Sequence, residues 1–302
     1  MPATLVTAAP AAADHAAGDN DFQRYYAEAG PDYAAWSPRF NMHFGYYRRG
    51  MNPFAREAML EEMNRQVLLR LNVETQSPRI LDMGCGLGAT LRSIATNLPG
   101  ARLHGITLVP WQVEQGRLLN ARDNAAGNIE LALGDYQNTG YPSASFDAVY
   151  AIESSCYAAG AKKSALLQEA RRLLRPGGRI VVADGFLGPG KLRGPQAGIF
   201  RRLCDCWAIE TFGQIGDFTT ELARLGFDNI HVQRLQLRVT PSVLHVPWVT
   251  LRFLLTSAIR STRKMTRARW NNVIAPLLMP FVSFPVGPVA YYLVSAARSR
   301  DA

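Results

Sequence analysis

The stretch ILDMGCGLGAT, residues 80–90, constrains this chain more than any other. An apolar run leads into three glycines at alternate positions, Gly84, Gly86 and Gly88, with Asp82 just ahead of them. Such a pattern predicts a buried strand that turns tightly into a helix, with backbone close enough for a ligand to lie against it. In an open α/β sheet that turn stands beyond the carboxyl ends of the strands, where ligands bind. The spacing is G-x-G-x-G. It lacks the dinucleotide pattern G-x-G-x-x-G, and Leu87-Gly88-Ala89-Thr90 lacks the lysine of a phosphate-binding P-loop. On the loop alone, a turn with no ligand remains an alternative.

From Ser77-Pro78 onward strand and helix patterns alternate. Strands are expected at 79–84, 102–108, 130–133, 146–153, 179–185, 229–238 and 290–297, with helices at 88–98, 110–124, 162–175 and 216–225. This alternation predicts a Rossmann-like α/β fold: seven strands, mostly parallel, with helices on both faces. Pro176-Gly177-Gly178 reads as a turn between helix and strand. The stretches 187–212 and 240–289 break the alternation and are expected to cap the site, the second as a helical insertion before the last strand. The domain plan is a disordered leader over 1–20, a helical lid over 21–76, and the main domain over 77–302.

Residues 22–54 hold 10 aromatics in 33 positions, against 29 in 302 overall, so the lid is expected to turn two or three rings toward the site. Residues 52–71 read as a helix capped by Asn52, with Pro53 at its first position and Phe54, Ala58, Met63, Val67 and Leu71 on its apolar face. The alanine-rich leader carries no Lys or Arg and lacks an export signal. Cys85, Cys156, Cys204 and Cys206 show neither disulfide-framework nor zinc spacing, which suits reduced thiols in the cytoplasm.

The net charge of +9 is concentrated near one end. Residues 229–300 contain ten basic residues and no Asp or Glu, which leaves 23 basic and 24 acidic residues elsewhere. The same region has long apolar runs, and 271–297 is uncharged. Pro276, Pro280, Pro285 and Pro288 interrupt it, which argues against a spanning helix. An apolar substrate lid, a peripheral membrane contact through the basic insertion, or a solvated basic face are the readings it leaves.

Strand two runs into LHGITLVPWQVEQGR, where a dinucleotide binder would place an acid; strand three leads into LGDYQ, and strand four into FDAVYAIESSCY, followed by LLRPGGRIVVADGF. This ordered set, over about residues 77–187, resembles the class I S-adenosylmethionine-dependent methyltransferases. Within them, GITLVPWQVEQGR is similar to the small-molecule branch that includes tocopherol methyltransferases and cyclopropane-fatty-acid synthases. DAVYAIESSCY is similar to the sterol methyltransferases, and NMHFGYY to the tocopherol-type enzymes. The resemblance implies S-adenosylmethionine as cofactor, with Asp82, Gly84, Gly86 and Gly88 along its methionine and ribose parts. Thr107, Leu108 and Gln112 would hold the ribose, although Val109 replaces an expected serine. Asp135 would accept from the adenine amino group, and the Tyr136 amide would lie near the ring.

Methyl transfer from a sulfonium is an in-line displacement that needs alignment and exclusion of water, and no metal. Glu153, at the end of strand four, is the candidate base or counter-charge, or else a carboxylate that only orders its surroundings. His43, in the aromatic lid, is a candidate base or a hydrogen-bonded histidine closing over the cofactor. The expected acceptor is a hydrophobic small molecule, prenylated, terpenoid, sterol-like or quinol-like, methylated at carbon or oxygen. Cyclopropanation of an acyl chain and methylation of a prenyl diphosphate gripped by the basic cluster are alternatives. Nucleic acid is disfavoured, because ESSCY replaces the Asn/Asp-Pro-Pro-Tyr/Phe stretch of amino-methylating enzymes; a non-catalytic binding protein ranks last.

Overall fold

The alternating apolar residues of the central strands dictate a sheet covered on both faces, and the computed structural model shows one. It describes residues 21–125, 127–189, 192–260, 263–283 and 287–300; the leader expected at 1–20 lies outside them. The sheet core is β1 (Arg79–Met83), β2 (Arg102–Thr107), β3 (Ile129–Leu133), β4 (Phe146–Ile152), β5 (Leu174–Leu187), β7 (Phe227–Arg234) and β8 (Val289–Arg298). Their spatial order is β3-β2-β1-β4-β5-β8-β7, and a two-residue β6 (Gly213–Gln214) pairs with β5 off this path. Only β8 runs against its neighbours β5 and β7. The seven-stranded Rossmann-like expectation therefore holds.

Period two sorts the side chains. Ile80 joins Leu103, Ala148 and Val181 in a core beneath α2 (Arg56–Leu71) and α3 (Ala89–Asn97). Leu81 and Met83 join Val149 and Ile180 on the opposite face. That face is covered by α5 (Ser164–Leu173) and α7 (Ile215–Arg224), through Leu166, Ala170, Phe218 and Leu222. At the β2–β3 edge, α4 (Pro110–Arg122) packs through Val113.

Three boundaries differ from expectation. Asn52 does not cap α2: its Oδ1 accepts from the Phe54 amide at 2.9 Å, an Asx turn, and His245 takes the Pro53 carbonyl at 2.8 Å. The helix therefore begins at Arg56, and Phe54 is 84% exposed rather than on the apolar face. Pro176–Gly178 lies within β5, as a bulge opposite Asp147, because Phe146 already pairs with Leu174 while Ala148 pairs with Arg179. Finally, β7 stops at Arg234. Leu235 is fully buried, and Gln236 bonds the Tyr291 amide (3.2 Å) and the Ser283 carbonyl (3.1 Å), which turns the chain into α8 (Gln236–Val243).

The lid and caps meet above the carboxyl ends of the strands. Of the stretch 21–76 expected as a lid, α1 (Asp21–Ala29) and a 3-10 turn over Gly30–Ala35 form it, whereas α2 packs on the sheet through Met63, Val67 and Leu71. The first interruption holds α6 (Gly194–Trp207); the second holds α8, α9 (Val246–Arg260) and α10 (Arg267–Ser283). Phe200, Leu203 and Cys204 of α6 pack on Ala275, Met279 and Val282 of α10 as a third apolar cluster. Asp32 of the lid receives a bidentate pair from Arg269 of α10, at 2.7 and 3.1 Å, with both side chains buried. The Tyr25 hydroxyl donates to Asn272 of the same helix at 2.9 Å.

Candidate active site

The turn after β1 can be built only from glycine. Gly84 stands at φ +109°, and a β-carbon there would collide with Ser154, whose Oγ would lie 2.7 Å away. Gly86 and Gly88 also have positive φ, +50° and +74°. A β-carbon on Gly86 would meet only the Met42 sulfur, at 3.3 Å, so this glycine keeps a cleft open. The cleft holds about 720 Å³ and is lined by Asp82, Gly84, Gly86, Thr107, Leu108 and Gln112, with the Tyr136 ring and Glu153 at its far side. Gly88 and Asp135 do not line it. Gly88 is the residue immediately before α3, and Asp135 Oδ1 accepts from the Gln137 amide at 2.8 Å.

Local chemistry within the cleft is ordered. Thr107 Oγ1 donates to Gln112 Oε1 at 2.6 Å, which orients the amide so that its NH₂ end is left for a ligand. Val109, where a serine was expected, is the residue preceding α4 and gives that helix no side-chain cap. Gln23 of α1 donates to the Leu108 carbonyl at 3.1 Å, tying the lid to the cleft rim. Burial pushes the Asp82 carboxyl up to about 7, opposed by the Tyr150 hydroxyl. A cationic ligand group beside Asp82 would offset that cost. The Tyr136 hydroxyl donates to the Ser154 carbonyl at 2.7 Å, which locks its ring as a wall. A glycine cradle, an ordered amide, and a carboxylate short of a counter-charge fit an amino acid joined to a ribose, the shape of S-adenosylmethionine.

A second chamber of about 1080 Å³ lies beneath the caps. Its walls are rings and aliphatic groups: Tyr33 and Trp36 from the lid, Trp207 at the end of α6 and Phe212 after it, Phe253 of α9 and Met279 of α10. Its charged lining residues are Asp32, Glu153 and Asp184, with no Lys or Arg among the described residues. Asp184 is committed to Ser155 Oγ (2.7 Å) and to the Cys156 (3.0 Å) and Gly185 (2.7 Å) amides. The two spaces share five residues: Tyr26, Met42, His43, Glu153 and Tyr157.

At this junction Glu153 sits at φ +47°, a strained conformation for a residue with a side chain. Its amide donates to the Ala183 carbonyl at 2.9 Å. Oε1 accepts from the Phe44 amide at 2.6 Å and from the Tyr291 hydroxyl at 2.9 Å, leaving Oε2 to the open space. Burial pushes this carboxyl up to about 8; the Asp184 charge adds to the rise, while the Phe44 and Tyr291 bonds oppose it. Both ring nitrogens of His43 face protein acceptors: Nδ1 the Phe44 carbonyl and Nε2 the Asn64 Oδ1, both at 3.0 Å. Burial pushes its pKa down. The ring therefore braces the loop whose Phe44 amide holds Glu153. The Tyr26 and Tyr157 hydroxyls lie 3.0 Å apart across the junction.

The sequence reading missed Tyr26, Met42 and Tyr291. Tyr26 was one ring among ten, and nothing in VAYYLV separates the inward Tyr291 from Tyr292 until the register with β5 is known. The diphosphate grip weighed as an alternative for the basic cluster finds no Lys or Arg on the chamber wall among the described residues, and Arg269 is paired with Asp32.

Comparison with known proteins agrees with this geometry. Residues 80–178 match the family model described as a methyltransferase domain. A probable chloroplastic tocopherol O-methyltransferase from Oryza sativa subsp. japonica is 26% identical over 273 residues, covering 85% of this chain and 72% of that protein. An O-methyltransferase from Aspergillus nomiae is 30% identical over 186 residues, covering 62% of this chain and 80% of that protein. Among solved structures, a geranyl diphosphate methyltransferase superposes with a TM-score of 0.68 at 17% identity, over 92% of this chain and 98% of that one. The chain belongs to the class I S-adenosylmethionine-dependent methyltransferases that act on small molecules.

Proposed function

We propose that this enzyme methylates a carbon or oxygen atom of an uncharged, hydrophobic small molecule, with Glu153 as the group that accepts a proton or balances positive charge at the acceptor. The observation that carries this reading is the junction: among the described residues, Glu153 is the one ionisable carboxyl shared by the glycine-lined cleft and the apolar chamber. S-adenosylmethionine supplies a methyl group on a sulfonium, open to in-line displacement. Asp82, the Gly84–Gly86 backbone, Thr107, Leu108 and Gln112 hold it at the cleft, and Tyr136 walls it. The chamber holds the acceptor, and the lid aromatics exclude water, as such a displacement requires.

Glu153 is suited to the proton step. With its pKa near 8, Oε2 can take a proton from a phenol or from a carbon beside a forming cation. Tyr291 and the Phe44 amide fix Oε1, so the second oxygen is presented in one orientation. His43 and Asn64 act on the same loop from behind.

The wall composition supports a neutral acceptor over a prenyl diphosphate, since a diphosphate would face carboxylates with no Lys or Arg in the lining among the described residues. The geranyl diphosphate methyltransferase structure contains geranyl diphosphate; this chain shares its fold at 17% identity. Cyclopropanation of an acyl chain uses the same carboxyl and the same chamber and is the second reading. Incubation with methyl-labelled S-adenosylmethionine and a lipid extract of the source cells tests the proposal. Label in one organic-phase product supports it, and NMR of that product separates a methyl group from a ring. Label confined to the aqueous phase overturns it.

A further inference from the structure

We infer that the outward face of α8 and α9 is a docking surface for an anionic lipid bilayer, through which an apolar acceptor reaches the chamber; the entry route rests on the function proposed above.

Helix α9 is apolar on both sides. Val246, Val249 and Phe253 line the chamber. On the other side Trp248, Leu251 and Leu255 follow at steps of three and four, one stripe along the helix, and are 49% to 63% exposed; Leu244, in the turn just before it, is 71% exposed. A surface helix of a globular protein normally shows one apolar face, so a second face directed at solvent marks an interaction surface. Leu237 of α8 extends the stripe, and Phe54 joins it, because the Pro53 carbonyl accepts from His245 between Leu244 and Trp248. Two segments nearly 200 positions apart in sequence thus contribute to one patch.

Charge selects the occupant. No Asp or Glu occurs from 229 to 300, and Arg252 is exposed within the stripe, with Lys264 and Arg267 exposed at the α9–α10 connection. Arg56 lies beside Glu57, whose charge attracts it more than Arg252 repels it, and Arg56 Nε is buried with no hydrogen-bond partner among the described residues. Anionic headgroups would pair with the exposed Arg252, Lys264 and Arg267 while Trp248 and the leucines enter the headgroup–acyl boundary. A second copy of the chain would instead set like charges against each other. Nucleic acid rewards phosphate contacts and aromatic stacking but not a row of leucines. No helix among the described residues is long and apolar enough to cross a membrane, so the contact is interfacial.

The position of α9 gives the contact a purpose. It is a partition one helix thick between the exposed stripe and the acceptor chamber. Arg56 stacks over the Trp36 ring at 5.0 Å, and Trp36 lines the same chamber. An acceptor drawn from the bilayer here would reach Glu153 without its apolar part crossing water.

The test uses the full chain, vesicles of phosphatidylcholine with or without about 30% phosphatidylglycerol, and a Trp248→Ser/Leu251→Ser/Leu255→Ser variant. Co-sedimentation should be at least about tenfold stronger on the anionic vesicles and about tenfold weaker for the variant. Label transfer to the lipid extract is measured in parallel, with the extract embedded in anionic vesicles or dispersed in detergent. The variant should match the parent on dispersed extract and fall about tenfold behind on embedded extract. Equal binding to neutral vesicles, undiminished binding by the variant, or no binding together with a dimer that the variant dissociates would each overturn the docking. Vesicle binding without label in either format would leave the docking standing and remove the proposed function instead.

Discussion

The Tyr291 hydroxyl donates to Glu153 Oε1 at 2.9 Å, so the one antiparallel strand of the sheet, β8, holds the carboxyl that ends β4. The same oxygen accepts from Phe44 of the lid loop. One carboxylate therefore reports on three parts of the chain that lie far apart in sequence.

Tyr291→Phe removes a bond that favours the ionised form, so the Glu153 pKa should rise above its value of about 8. Turnover near pH 7 should fall about tenfold and recover to within about twofold near pH 9.5, because more alkali is then needed to ionise the base. A pH–rate profile checks this; an equal loss at every pH would mean that Tyr291 acts only through packing.

Gly84→Ala should destabilise the fold by about 1–3 kcal/mol and weaken cofactor binding, since the added carbon meets Ser154 at a backbone angle of +109°. Gly50→Ala is the control. Gly50 has φ +89° with nothing within 4 Å of an added β-carbon, so it isolates the backbone strain, on the order of 1 kcal/mol. Thermal unfolding with and without S-adenosylmethionine separates the two.

Asp82 (about 7) and Glu153 (about 8) both lie above their ordinary values of 3.8 and 4.5 because burial disfavours the charged form. The folded state therefore binds these protons more tightly than the unfolded chain. Their contribution is fully present below about pH 4 and is lost as pH rises through about 7 and 8. The melting temperature of the free enzyme should fall between about pH 4 and 8 and level off above, and Asp82→Asn/Glu153→Gln should flatten that slope.

Asp32→Asn leaves Arg269 buried with its partner's charge removed, where the two side chains are only 7% and 3% exposed. A loss of about 3–5 kcal/mol is expected. Because the pair joins lid to cap, limited proteolysis should cut first between α1 and α2, faster than in the parent; uncoupled cutting elsewhere would show that the pair does not hold the lid.

The strand pattern and the glycine turn were legible because period two and the positive-φ requirement are written in local sequence. The residues lining the cleft, Asp82, Gly84, Gly86, Thr107, Leu108 and Gln112, follow from strand ends, which local reasoning finds. What escaped it depends on distant partners. Asn52 looked like a cap until His245 fixed the turn after it. The basic cluster left a diphosphate grip open as an alternative, and only the fold shows that its Arg269 is paired with Asp32. Tyr291 acquires meaning only from its register opposite Gly185. The two ring nitrogens of His43 are taken by a neighbouring carbonyl and by an asparagine 21 positions away, a pairing no spacing rule anticipates.

The most direct test of the central claim is label transfer from methyl-labelled S-adenosylmethionine to the organic phase by Glu153→Gln, with cofactor affinity measured by calorimetry on the same preparation. The account predicts affinity within about threefold of the parent and turnover reduced by about 10² or more, the scale of a lost proton acceptor. Turnover equal to the parent's with affinity intact would contradict it and remove Glu153 from the chemistry.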